Sequence, residues 1–274
     1  MGNSSQIKDW KALEALVAQA RNRSRMLTNF FPDEQRMSEW CTNGTLRCGE
    51  SGKTTFLVHD QGAFSNLYFL TESAECLQED VGEFLKTRGD ARLVVDVLGP
   101  DRVRVPLEEA LSANGFSVQT VLQRMGRKTP AEAVEADAAV VDAIDADVGK
   151  VKVLLDEYFN AEQEQLPTAD ELKWWVERGE LKIVRHDDGG VVGFVIYDLS
   201  HAQLYLRYWF VHPKVRGKGL GGKLMRTMFA AAVQTKRQYF WVKTDNENAI
   251  IRYQHYGFDL EPMKDSVWAR GAAK

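Results

Sequence analysis

The sequence predicts an α/β protein made of two similar units, each a mixed sheet flanked by helices. Three observations carry this reading. Two stretches share one plan: Trp40 and Trp175 each have a glycine four residues on (Gly44, Gly179) and a leucine two residues later (Leu46, Leu181). In both, a short β-like run, a glycine turn and a longer β-like run follow, and a helix-like stretch then closes on NGF (114–116) or YGF (256–258). From Trp to that Phe the stretches span 76 and 83 residues, so one supersecondary unit is used twice. Between them, TPAEAVEADAA (129–139) is small and acidic with no apolar period, as a linker would be. The expected division is therefore 1–128, a linker at 129–137, and 138–274, each unit of ordinary domain size.

Composition narrows the function. Apolar residues make up 44% and charged residues 27% of the 274, an ordinary globular balance. A net charge of −4 argues against a nucleic-acid partner. No apolar run approaches the roughly 20 residues that cross a bilayer. The opening MGNSSQIKDW lacks the apolar core of a signal peptide, and Gln6 stands where a myristoylation pattern needs Ser or Thr. Cys41, Cys48 and Cys76 are odd in number and lack C-x-x-C spacing, so reduced thiols in a cytoplasmic protein are expected, with no metal site.

RCGESGKTT (47–55) imitates a phosphate-binding loop. A true G-x-x-x-x-G-K-[ST] needs glycine where Arg47 stands, and a helix afterwards. TTFLVHD (54–60) instead favours a strand. Aligned with the second unit, 49–53 takes the place of Asp187-Asp188-Gly189-Gly190, and both read as hairpin turns.

The stretch that does predict anion binding is 204–233. LYLRYWFV is strand-like and stops at Pro213; Gly217, Gly219, Gly221 and Gly222 follow; Leu220, Leu224, Met228 and Ala232 then recur at helical spacing. First-turn N–H groups lack intrahelical partners and carry the positive end of the dipole, so a glycine-lined helix start suits a pyrophosphate. Arg216 and Lys218 add charge.

Here the chain resembles a known family. Arg216-Gly217-Lys218-Gly219-Leu220-Gly221, after the V-x-P of Val211-His212-Pro213, is similar to the R/Q-x-x-G-x-G/A signature of the GCN5-related N-acetyltransferase (GNAT) superfamily. Asn246 to Phe258 is similar to its N-x-x-A-x-x-x-Y-x-x-x-G-F block. The resemblance is close over roughly the last 75 residues and covers the C-terminal half in outline. It implies two tandem GNAT-like domains, and acetyl-CoA as co-substrate in a V-shaped gap between splayed parallel strands. Backbone groups of Phe210 and Val211 would then bond the pantetheine arm, Gly217 to Gly222 with Arg216, Lys218 and Leu220 would hold the pyrophosphate, and Asn246 would sit beside the cofactor and cap its helix.

The implied reaction is direct attack of a primary amine, on a small molecule or peptide, at the thioester. Tyr253 matches the position that protonates the leaving thiolate, a contribution of ~10²–10⁴-fold; Tyr256 is a weaker competitor. No general base stands out among Gln203, His201, Arg207, Tyr208, Glu157, Glu162 and Glu164. A water chain or an amine arriving neutral serves as well. The acids Asp156, Glu157, Glu162 and Glu164 suggest a cationic acceptor. The missing base keeps a non-catalytic acetyl-CoA sensor as an alternative. A longer-chain acyltransferase would differ only in pocket depth near Trp209 and Phe210.

The first half departs from the pattern. TESAECLQEDVGEFLKTRG (71–89) puts Glu75, Glu79 and Asp80 where the second half has its glycines. Residues 1–128 are therefore expected to be a degenerate copy without a cofactor site.

Overall fold

The computed structural model describes residues 5–23, 26–86, 91–130 and 134–272. The reading of the extreme N-terminus at residues 1–4, and linker residues 131–133, lie outside the described residues. By its contacts the chain divides into one unit of Met1–Leu122 with Pro262–Lys274, and another of Gln123–Glu261. This differs from the expected division at 129–137, because the last strand is held by hydrogen bonding in the first unit.

The first unit runs β1 (Ser5–Gln6), α1 (Trp10–Arg23), β2 (Leu27–Thr28), α2 (Glu34–Thr42), β3 (Leu46–Ser51), β4 (Thr54–Asp60), β5 (Ser65–Thr71), α3 (Ala74–Leu85), β6 (Leu93–Gly99), α4 (Asp101–Ser112) and the start of β7 (Ser117–Lys128). β1, β3, β4 and β5 are antiparallel neighbours and β5–β6 is parallel. Residues 264–270 of the final strand lie antiparallel to β6, from Lys264↔Gly99 to Arg270↔Leu93. Alternation sends Leu67 and Phe69 to the core under α3 and α4, and Tyr68 and Leu70 to the core under α1 and α2. Each such side chain, once buried, stabilises the unit by about 1.5–3 kcal/mol.

The second unit repeats the order except that a short helix stands in the place of β2: β8 (Val141–Asp142), α5 (Asp145–Tyr158), α6 (Ala161–Glu164), α7 (Ala169–Glu177), β9 (Leu181–Arg185), β10 (Val191–Leu199), β11 (Gln203–Val211), α8 (Leu220–Ala231), β12 (Arg237–Lys243), α9 (Glu247–His255) and the start of β13 (Asp259–Arg270). β8 to β11 are antiparallel and β11–β12 is parallel, as in the first unit. Val195 and Tyr197 pack towards α8 and α9, Phe194 and Ile196 towards α5 and α7.

The repeat marks fall on matching places. Trp40 and Trp175 are buried on α2 and α7, Leu46 and Leu181 open β3 and β9, and Gly44 and Gly179 have φ of +68° and +66°. A hairpin turn does stand here, but it is tighter than the expected 49–53: Gly49 to Ser51 are paired in β3, Ser51↔Thr54 closes the turn, and only Gly52 (φ +51°) and Lys53 lie between the strands. Asp80 accepts from Lys53 N (2.9 Å) and Thr54 Oγ1 (2.7 Å), which explains that carboxylate as a brace for the turn.

Candidate active site

β11 and β12 pair only at Gln203↔Arg237, Leu204↔Gln238 and Tyr205↔Tyr239, although β11 continues to Val211 and β12 to Lys243. The register between β10 and β11 slips where Ile196 faces Tyr208 and Tyr197 faces Leu206, leaving Arg207 as a bulge. A bulge bends and twists its strand, so β11 leaves β12 beyond it. Leu204 and Leu206 before the bulge, and Trp209 and Val211 after it, thereby share the α8–α9 face. The opening leads into a groove of about 600 Å³ that runs from the first turn of α8 to α9.

Ten of the eleven residues expected from sequence line this groove: Phe210, Val211, Arg216, Gly217, Gly219, Leu220, Gly221, Gly222, Asn246 and Tyr253. Lys218 does not; it is exposed in the turn. The glycines divide by purpose. Gly217 and Gly219 have φ of +84° and +75°, and a Cβ on either would meet nothing within 4 Å, so they set backbone conformation and leave the loop open. Gly221 is different, because a Cβ there would lie 2.8 Å from Cζ2 of Trp209. That glycine is where helix α8 packs on strand β11. Arg216 Nε donates to Val211 O (3.1 Å), tying the loop to the strand end.

α9 carries the other wall. Asn246 caps it, its side chain accepting from Ala249 N at 3.2 Å. Tyr253 then faces the groove between the rings of Phe240 (4.1 Å) and Trp209 (5.6 Å). Burial pushes its phenol above the ordinary range, with the Arg252 cation opposing. The C-terminal end of the helix is held by Arg127, whose guanidinium lies over Phe229 and Phe258 and donates to Gln238 Oε1 (2.8 Å) and to the Tyr256 carbonyl. Desolvation lowers the Arg127 pKa to about 10.

Sequence reasoning passed over Val215, Asn248, Ala249 and Arg252 as groove residues, and named Trp209 and Tyr256 only as a mark of pocket depth and as a weaker competitor of Tyr253. Strand period from Val211 and helix period from Tyr253 point to Trp209, Ala249 and Tyr256. The Trp209 indole N–H is buried and has no hydrogen-bond partner among the described residues. An orphaned donor in the groove wall, an open glycine loop and a helix start all fit a ligand with a pyrophosphate and a polar arm.

The base candidates have other partners. Arg207 is ion-paired with Asp198 (2.6 Å), which also accepts from Trp175 Nε1 (2.7 Å). Tyr208 donates to the Glu164 and Gln165 carbonyls (2.8 and 3.1 Å). Glu164 pairs with Lys243 at 2.9 Å and Asp156 with Lys152. Gln203 and His201 are exposed. Glu157 lies beside the Tyr158 phenol; that phenol's pKa is raised by desolvation first and then by Glu157.

Residues 150–258 match the model of the Acetyltransferase (GNAT) family, a span that contains the groove. These residues are a GNAT-family domain. Among curated proteins, the chain is 30% identical over 89 residues to spermine/spermidine N(1)-acetyltransferase of Bacillus subtilis (strain 168), covering 28% of this chain and 59% of that protein. It is 29% identical over 75 residues to acetyltransferase Atu2258 of Agrobacterium fabrum, covering 27% and 55%. The match thus spans less than two thirds of either relative. Among solved structures, a tandem GNAT protein from the clavulanic acid biosynthesis pathway aligns over 84% of this chain and 83% of its own, at 15% identity and TM-score 0.57. A GNAT-family acetyltransferase from Colwellia psychrerythraea aligns over 98% and 100%, at 15% identity and TM-score 0.56. The GNAT fold therefore extends to both units. No group of three or more metal-ligating side chains occurs among the described residues, and no helix there is long and apolar enough to cross a membrane.

Proposed function

We propose that the second unit is an acetyl-CoA-dependent N-acetyltransferase acting on a primary amine. The observation that carries this is the continuous groove joining the glycine-lined start of α8 to Tyr253 along the edge of β11 that has parted from β12. Acetyl-CoA, which the GNAT family generally uses, supplies an acetyl group already activated as a thioester. The amides from Gly217 to Gly222 bind the pyrophosphate, with Arg216 adding charge. The backbone of Phe210 and Val211 binds the pantetheine arm as an added strand would be bound. Trp209 offers its N–H from the groove wall, and Asn246 holds the start of α9 beside the cofactor. Tyr253 keeps its proton on Oη because burial disfavours the phenolate, and gives it to the departing sulfur.

The acceptor is read as a cationic amine of the polyamine type. The name of the Bacillus relative supports this reading. The acids near α5 and α6 support it less than their number suggests, since Asp156 and Glu164 are each matched by a lysine. A first-half copy without a cofactor site accompanies this reading. Acetyl-CoA titration should give one site per chain, and free-thiol release with spermidine and other amines should then depend on Tyr253. Binding without thiol release from any amine would favour the sensor, a reading supported by the prior engagement of Arg207 and Tyr208.

A further inference from the structure

The first unit has its own version of the gap, and the chain fills it. β5 and β6 pair only at Ser65↔Leu93 and Asn66↔Val94, though both strands run on to Thr71 and Gly99. β4 covers one edge of β5. On the other edge, β2 pairs antiparallel as Leu27↔Thr71 and Thr28↔Leu70. The adjoining Asn29 is buried, and its carboxamide spans the opening. Nδ2 donates to Leu67 O (3.1 Å) on β5 and to Asp96 O (2.9 Å) on β6, while Oδ1 accepts from Phe69 N (2.7 Å). Thr28 Oγ1 donates to Phe69 O at 2.7 Å.

Amide and hydroxyl groups are the polar groups of a pantetheine arm. Here one side-chain amide and one hydroxyl, delivered by the chain itself, satisfy the backbone of the diverging strands. The phosphate end is closed as well. Residues 212–219 link β11 to α8, but only Glu72 and Ser73 link β5 to α3, and Ser73 Oγ takes the Cys76 N–H (3.2 Å) at the helix start.

We propose that Leu27–Asn29 is a built-in substitute for the pantetheine arm, so that the first unit is shut in cis and takes no acyl-CoA. An occupant tethered in the chain competes at an effective concentration that dissolved acetyl-CoA does not match. The idea rests on the reading of the second unit as the acetyl-CoA site, because that site shows what the first unit's gap would otherwise hold.

The test is residue-resolved amide exchange on the full chain, with and without acetyl-CoA, alongside a binding titration. The Phe69 amide should be protected without ligand and unchanged at saturation, with one equivalent bound. Asn29→Ala should speed Phe69 exchange by roughly tenfold, the worth of one buried hydrogen bond, without altering turnover. If that variant fails to fold, Thr28→Val removes the donor to Phe69 O and the acceptor of the Phe30 N–H (2.9 Å), so it is read at the Phe30 amide, whose exchange should quicken; an unchanged Phe30 rate overturns the closure. Two equivalents bound, or Phe69 exchange that responds to acetyl-CoA, overturns the proposal. No acetyl-CoA binding at all, with Phe69 still protected, supports the closure and sinks the reading of the second unit instead.

Discussion

Tyr253 illustrates how a single side chain is chosen by its surroundings. Flanked by Phe240 and Trp209, the phenol is shielded enough to stay protonated well past neutral pH. Tyr253→Phe keeps the packing and removes the proton, so kcat should fall about 10²-fold or more while acetyl-CoA affinity stays level. Steady-state kinetics beside a binding titration separates the two. His59 makes the opposite case in the first unit. It is buried, stacked on Trp40 at 3.7 Å, and its pKa is lowered to about 4 by desolvation, then by Arg36, with Asp60 opposing. The depressed value means the native state prefers the neutral ring. Its contribution is complete above pH ~6.5 and is lost progressively as pH falls towards 4, about 3 kcal/mol in all. Denaturant melts across that window should show this loss, and His59→Gln should flatten it.

At the scale of elements, α8 and β11 meet at one glycine. In an exposed helix, exchanging Gly for Ala stabilises by up to about 1 kcal/mol. At Gly221 the new methyl would meet the Trp209 ring at 2.8 Å, and overpacking of this kind costs about 1–3 kcal/mol. The clash wins, so Gly221→Ala should lower both Tm and acetyl-CoA affinity, and adding Trp209→Leu should recover stability. An unchanged Tm in the single variant would show that the helix has room to shift. A glycine in a phosphate loop thus has two possible reasons, and sequence alone does not separate them: Gly217 and Gly219 serve φ, Gly221 serves packing.

At the scale of the whole chain, the last strand closes the first unit. Lys264 to Arg270 take the edge of β6 and bury Val267 and Ala269 there. Truncation after Glu261 should cost the first unit several kcal/mol, a large share of a domain's 5–15 kcal/mol. Limited proteolysis should then cut residues 1–122 readily; a protease-resistant first unit would refute this.

Much of the architecture could be read locally. Hairpin turns, helix starts and the repeat were legible because glycine at positive φ, caps and apolar period are properties of neighbouring residues, and Trp40/Trp175, Gly44/Gly179 and Phe116/Phe258 kept them in register. The glycine loop and Asn246–Tyr253 were legible for the same reason, being short blocks with their spacing inside one element. Where β13 ends was hidden, because strand pairing joins residues some 170 apart and leaves no local mark. Asn29 was hidden too: nothing in MLTNF distinguishes a loop asparagine from one bridging Leu67, Phe69 and Asp96. By itself the sequence determined the two α/β units, the glycine loop that opens α8 and the helix that carries Tyr253. Only the tertiary structure decided that one gap is an open groove and the other is filled by its own chain, because that depends on which distant backbone groups find partners.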